Sequence, residues 1–450
     1  MAAQGDSAAR GGLRSLSSPE EETGYPNRAY AWSVVAILIG TAILSYTDRQ
    51  VLSLLVDPVR HDLGISDSQV SLLLGTAFAV IYGVAGIPLG FLADRVSRRY
   101  LILAGVVVWS IGTLACAFSQ SFGQLFAARL VVGLGEAVLS PAAISLISDY
   151  FPPSRRGTAV GCFLSGIAIG IGASILIGGG VLHAVDSGAF VGTALAGLSP
   201  WRLVLLVIGA PGLAWALMIL LIREPARRVQ KETAGPPGAG RAWTSMAWVR
   251  VAPIYIVVAA ASFVDNAVGA WAPTLVIREF ARNAADVGVQ LGLLLTAAFG
   301  GGVLVGGWLA DKAGARGGWS YKLGVCMASS LLILPDCMLV DSGHYQVVML
   351  AVPAYFALSG VVTACGFSAI LDVVPNRSRG VAMAISFFLN VAVGGGLGAP
   401  AVTAASDYVF GAAAGLGPAI SLTVAVGYGT AIVALIVAFT MARRREPTAA

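Results

Sequence analysis

Residues 32–56 form an almost continuous apolar run, interrupted near its end by SYTDRQ (45–50), and runs of this kind recur along the chain. A helix that crosses a bilayer needs about 20 apolar residues. Twelve such spans are predicted, at 32–56, 69–92, 100–119, 122–147, 158–183, 201–222, 249–276, 288–310, 321–340, 345–370, 380–405 and 418–442. Charged residues or clusters of Gly, Pro and Asn bound each one. SDSQ (66–69) fits a capping box opening the second span, with Ser66 accepting from a backbone N–H while Gln69 reaches back.

Composition narrows the class. The chain is 57% hydrophobic and 11% charged, against about 25% charged in a soluble protein. Its 56 glycines suit close helix–helix contact in lipid. This reads as an all-α integral membrane protein. The net charge of +5 sits in short loops and is no nucleic-acid signal. Lysine occurs only at 231, 312 and 322, never in a phosphate-loop pattern, so neither ATP nor any other cofactor is expected. The five cysteines lie in apolar segments without CxxC and read as packing residues. His61, His183 and His344 fall at span ends and read as solvated. No metal site and no intramembrane His/Asp or Ser/Lys nucleophile pair is evident, so no enzyme activity is expected. The polar first thirty residues show no cleavable signal peptide.

Most of the 28 Lys and Arg residues fall on one side of the spans; only Arg60, Arg202, Arg278 and Arg282 fall on the other, and Arg49 and Arg129 lie within spans. The positive-inside rule then places both termini in the cytoplasm. The expected organisation is a cytoplasmic tail (1–31), a six-helix bundle (32–222), a cytoplasmic linker (223–248), a second six-helix bundle (249–442) and a short tail (443–450). The halves repeat. SYTD ending at Asp48 matches SFVD ending at Asp265, GFLADR from Gly90 matches GWLADK from Gly307, and DYFPPSRRG from Asp149 matches DVVPNRSRG from Asp372. Such a 6+6 duplication surrounds a central site in transporters.

These motifs carry a resemblance. Residues 30–442 resemble the major facilitator superfamily, with GFLADRVSRR similar to its signature loop and GGWLADK to the second copy. Within it the chain resembles the Spinster family through YTDR, LGISDSQVSLL, ARLVVGLGEA, PWRL, REP and GAWAPTLV. The eleventh span, FFLNVAVGGGLGAPAV, lacks the polar and acidic positions of animal Spinster proteins. The resemblance implies a proton-coupled, alternating-access transporter of a lysophospholipid or sphingoid-type lipid, monomeric, in a bacterial inner membrane. It also implicates Asp48 and Glu136 in proton coupling.

The residues themselves support a site. An ionised side chain at mid-span costs about 2.5–3.5 kcal/mol even on lenient scales, so each needs a partner or a watery cavity. Asp48 lies roughly 24 Å along the first span and Arg129 roughly 10 Å down the antiparallel fourth, which brings them near one level. Glu136 is two turns deeper on the face of Arg129. The expected arrangement pairs Asp48 with Arg129 across spans 1 and 4, with Glu136 below and Arg49 aimed into a cavity between spans 1, 4, 7 and 10. Arg49 and Arg129 favour an anionic or zwitterionic head group, so small organic carboxylates are the alternative substrate class and a transporter-like sensor a more distant one. Asp265 and Asn266 are further candidate contacts, with Trp271 and Phe299 as an apolar wall. In the second half Arg49 becomes Asn266, Glu136 becomes Ser359 and Arg129 becomes Val352. The gate is expected at Asp94, Arg95, Arg98, Arg99, Asp149 and, more weakly, Asp311. Gly166, Gly170, Gly172, Gly394 to Gly396 and Gly398 are expected to be thin faces where the halves rock.

Overall fold

The computed structural model describes residues 25–227, 243–374, 379–411 and 415–443. Among them twelve helices are long and apolar enough to cross a membrane. They are α1 (Arg28–Leu54), α2 (Asp67–Gly86), α3 (Arg98–Ala117), α4 (Phe122–Tyr150), α5 (Arg155–Asp186), α6 (Pro200–Ile219), α7 (Arg250–Glu279), α8 (Ala284–Gly317), α9 (Trp319–Leu339), α10 (Tyr345–Val373), α11 (Val381–Phe410) and α12 (Gly417–Met441). The apolar runs in the sequence anticipate each of them. The clearest difference is α8, which runs on through Asp311 to Gly317 because GWLADKAGARG contains no helix-breaking proline. The Ser66–Gln69 capping box forms with both of its hydrogen bonds.

Two helices break beside their buried charges. The last turn of α1, Val51–Leu54, tightens to 3-10 geometry just after Arg49. Helix α4 is interrupted between Glu136 and Leu139. Pro141 accounts for the second break, because it lacks an N–H for the carbonyl of Ala137 and its ring crowds that carbonyl. Turns of π-helix occur in α2 at Leu72–Thr76 and in α11 at Asn390–Gly395. The two helices meet there, where Thr76 Oγ1 donates to the Gly396 carbonyl at 3.0 Å.

Among the described residues, the bonds that join the halves lie along one part of their length. The end of the bundle carrying the Arg- and Lys-rich loops is called the basic end. Among the described residues, every hydrogen bond and ion pair joining α1–α6 to α7–α12 lies at or beyond mid-span, toward the opposite end. Arg278 of α7 is held by two acids of the first half, donating to Asp57 at 2.7 and 2.9 Å and to Asp67 at 2.7 and 2.8 Å. Ser68 bonds Asp407 and Asn283 bonds Asp186 nearby. Helices α5 and α8 are in backbone contact: a Cβ on Gly179 would stand 2.6 Å from the Val289 nitrogen, so neither half accepts a larger residue there. Toward the basic end Gly157, Gly161, Gly300 and Gly307 have nothing within 4 Å of a Cβ position. The expected rocking faces need one correction. Gly166 and Gly170 pack on α1, and Gly394 and Gly398 on α7, each within its own half; Gly172, with Gly179, Gly288 and Gly292, and Gly395 and Gly396, against Gly75, Ala79 and Arg49, join the halves. Helix periodicity places a glycine on a face, but it does not say which neighbour that face meets.

Arg278→Ala removes the cation shared by Asp57 and Asp67 and is expected to part the halves at that end. Spin labels at the exposed His61 and Arg282 should report a new, longer distance population. An unchanged distribution would mean that the glycine contacts alone hold the closure.

Candidate functional site

Arg129 is the most constrained of the intramembrane charges. It is 2% exposed. Its Nη1 donates to the Asp48 carbonyl at 3.2 Å, Nη2 to the Arg49 carbonyl at 3.1 Å and Nε to the Leu73 carbonyl at 3.4 Å. The first two carbonyls stand where α1 tightens and its regular i to i+4 bonds lapse. A planar fork suits this role, since one guanidinium answers several acceptors. The expected pairing of Asp48 with Arg129 is thus corrected: they meet, but through the backbone carbonyl and not the carboxylate. The expectation that Arg129 offers its donors to a substrate is revised for the same reason.

Asp48 and Glu136 are 2% and 4% exposed, and Asp48 Oδ1 and Glu136 Oε1 have no hydrogen-bond partner among the described residues. No ion pair joins either acid to Arg49 or Arg129 among those residues. Arg49 turns away from Asp48, as the 100° step of a helix requires. Its guanidinium lies 3.9 Å over the Phe78 ring and 5.7 Å from that of Tyr46. A pocket opens beside it, lined by Tyr46, Arg49, Phe78, Tyr82, Glu136 and Ser140 among others. The pocket therefore brings Arg49 and Glu136 together, with an aromatic and hydroxyl lining that the charge-centred reading missed. Tyr46 and Tyr82 were legible only as apolar-run residues.

In the second half Asp265 accepts from Tyr355 Oη at 2.7 Å and Ser359 Oγ at 2.5 Å. Ser359, the repeat counterpart of Glu136, thus meets the α7 acid. Asn266 Nδ2 donates to the Ser262 carbonyl of its own helix. Phe299 is partly exposed and edge-on to Phe356 at 5.9 Å. Trp271 does not form a cavity wall. It is fully buried, and its Nε1 donates to the Ala399 carbonyl of α11.

Three of the residues expected at the gate, Arg98, Arg99 and Asp149, form a cluster within the first half. Arg98, 1% exposed, is ion-paired with Asp149 and donates to Glu224 at 2.8 Å. This ties the start of α3 to the end of α4 and to the segment following α6. Arg99 donates its backbone N–H to Glu224 at 2.9 Å and Nη2 to the Leu220 carbonyl. Arg95 and Asp311 are exposed. The side chain of Asp94 lies outside the described residues. The second half repeats the device with Lys322, which pairs with Asp372 at 2.6 Å. This pair was missed because Lys322 lies beyond the GWLADK motif. All three histidines are exposed, and the five cysteines are free, four of them buried.

Two six-helix halves closed at one end, with ionisable groups and a polar pocket between the helices of the first, define a multi-pass membrane transporter. The description of the Major Facilitator Superfamily matches residues 38–399, and the chain belongs to that superfamily. It is 30% identical over 375 residues to an MFS-type efflux pump of Mycolicibacterium smegmatis, covering 82% of each chain. It is 32% identical over 196 residues to Protein spinster of Drosophila melanogaster, covering 44% of this chain and 30% of that one. The fold matches a bacterial homologue of the human lysosomal transporter Spinster, in an inward-facing and occupied conformation, with TM-score 0.73, 24% identity and coverage of 93% of this chain and 98% of that chain. The protein thus resembles the Spinster branch and takes its place, with its bacterial relatives, in the inner membrane.

Arg129→Ala strands buried carbonyls, each costing about 1–3 kcal/mol when unsatisfied. A loss on the order of 3 kcal/mol is expected as a lowered melting temperature in detergent, with Arg129→Lys recovering only part of it. Glu224 lies outside the spans. Burial opposes its ionisation, but the Arg99 N–H, Arg98 and Ser97 bonds outweigh that and hold its carboxyl below the usual range. A depressed acid contributes stability above its unfolded value of about 4.3 and loses it as pH falls through the folded value. The melting temperature of wild type should therefore fall on acidification below about pH 4 more steeply than that of Glu224→Gln; parallel curves would remove Glu224 from the account.

Proposed function

We propose that this protein is a proton-coupled secondary transporter, acting as a monomer, that moves an amphipathic anionic or zwitterionic lipid of lysophospholipid or sphingoid type. One observation carries the reading: Arg49 and Glu136 share a pocket walled by aromatic rings and hydroxyls, while Arg129 is held by the backbone. Arg49 is then the charge free to meet a head group. Asp48 and Glu136, buried without a cation on them, are the proton carriers: a carboxylate in low dielectric beside an arginine changes protonation when an anion arrives. With the basic end taken as cytoplasmic, the halves part toward the cytoplasm, and the Arg278 cluster closes the outside. Alternating access then requires that cluster to open while the basic end closes.

A second reading, small organic carboxylates, draws on 24% identity over 343 residues to a D-galactonate transporter of Escherichia coli. The same arginine serves either anion. The aromatic lining of the Arg49 pocket, Tyr46, Phe78 and Tyr82, favours the lipid.

The deciding experiment compares binding of lysophosphatidylglycerol and D-galactonate, and uptake of each under an imposed pH gradient. Arg49→Ala should weaken binding of the true class by roughly ten- to a hundred-fold, the worth of one or two charge-assisted bonds. Arg49→Lys should rescue little, since a point charge lacks the planar fork. Asp48→Asn and Glu136→Gln should bind substrate yet lose gradient-driven accumulation. Unaltered binding in Arg49→Ala together with unaltered pH-driven uptake in both acid variants would overturn the reading.

A further inference from the structure

Asp265 is the counterpart of Asp48 in the repeat, but its surroundings differ in charge. Its two hydrogen bonds come from neutral hydroxyls of α10, and both arrive at Oδ1. Among the described residues Oδ2 has no hydrogen-bond partner, and the residue is partly exposed. Tyr428 of α12 closes one side, its ring edge-on to Tyr355 at 6.1 Å and its hydroxyl buried without a partner. The neighbouring helices add no base within ion-pair reach among the described residues: α10 presents Tyr355 and Ser359, and α12 presents Tyr428. From α1 come Gln50, whose Nε2 lies 3.1 Å from a Cβ position on Gly269, and Arg49.

Arg49 and Asn266, the residue that follows this acid, overlook the same stretch of α11. A Cβ on Gly394 would stand 2.9 Å from Asn266 Nδ2, and a Cβ on Gly395 2.9 Å from Arg49 Nη2. Consecutive Cα atoms are about 3.8 Å apart, so Arg49 and Asn266 approach to roughly 10 Å. The first half holds two acids and two arginines, which sum to zero when ionised. In the second half Asn266, Val352 and Ser359 replace three of those charges, and one acid remains without a base. An ionised Asp265 thus sets an uncompensated negative charge close to the place where an anion would bind.

We propose that Asp265 is a second proton-binding site, filled when the cavity holds an anion and emptied when the anion leaves. One proton from the cavity water adds to Oδ2, which turns the carboxylate into a neutral acid and leaves Arg49 as the charge facing the anion. The donors suit this occupant. The hydroxyl hydrogens point at Oδ1, so their lone pairs are not gathered for a metal ion, and hard cations collect about six or more oxygens. The consequence is one more proton bound per anion than the first half alone provides. This rests on the reading that an anion binds at Arg49.

The test has two arms. The first is infrared difference spectroscopy of purified protein across a pH jump without ligand. Wild type should show a protonated-carboxyl C=O band that Asp265→Asn lacks, that Asp265→Glu restores, and whose frequency Tyr355→Phe shifts by removing a hydrogen bond. The second is binding of lysophosphatidylglycerol, with D-galactonate in parallel, at acid and alkaline pH. Asp265→Asn should bind the anion about tenfold more tightly than wild type at alkaline pH, the effect of one charge removed at roughly 10 Å, and should show a flatter pH dependence. A band of wild-type size in Asp265→Asn, or an acid-to-alkaline affinity ratio equal to that of wild type, overturns the proposal. If Asp265→Asn does not fold, the Tyr355→Phe spectrum decides: an unshifted band counts against Asp265. Wild-type binding in Arg49→Ala would overturn the anion site instead, and the infrared arm would still report on Asp265.

Discussion

A guanidinium buried among helices must have acceptors for its donors, and Arg129 finds them in the loosened end of α1 and the π-turn of α2. Three carbonyls, those of Asp48, Arg49 and Leu73, converge on it. The capture fixes where α1 stops being a regular helix, and therefore where Asp48 and Arg49 point. Without it those carbonyls would lie unsatisfied in a low-dielectric interior, which is costly. The break of α4 after Glu136, set by Pro141, places the second acid against the same pocket. One backbone capture and one proline thus orient the pocket of the first half.

The two halves divide their work. The first holds the opposed charges, and the second holds Asp265 among hydroxyls. Contact between them is concentrated toward one end, where bare glycine backbones and the paired acids around Arg278 fit together. These acids are partly exposed, so their strength depends on solvent and salt more than that of a buried pair does. A closure of that kind can open without a large penalty, as alternating access requires.

Much of this architecture was legible in the sequence. Apolar length gives the twelve spans, because lipid demands that each backbone polar group be satisfied within its own helix. The repeat gives the equivalence of Asp48 with Asp265, and their level along the helices brings Arg129 to Asp48. What sequence spacing does not give is the atom that a side chain reaches. Arg129 meets a carbonyl, since a helix break creates acceptors that no periodicity marks. Trp271 reads as cavity wall but is buried against α11, because the packing of neighbouring helices decides which aromatic faces water. Arg278 reads only as a charge on the far side of the spans, since its pairing with Asp57 and Asp67 crosses between halves more than two hundred residues apart in the chain. Tyr46, Tyr82, Tyr355 and Tyr428 are hidden in apolar runs, where one hydroxyl hardly alters hydropathy.

The central claim is that substrate and protons move together. Wild-type protein in liposomes loaded with a pH-sensitive dye, with no gradient imposed, tests it most directly. Addition of lysophosphatidylglycerol or D-galactonate outside should change the internal pH as the anion crosses, in proportion to the amount transported, and a protonophore should abolish the signal. Anion entry with no pH change in intact vesicles would contradict the account.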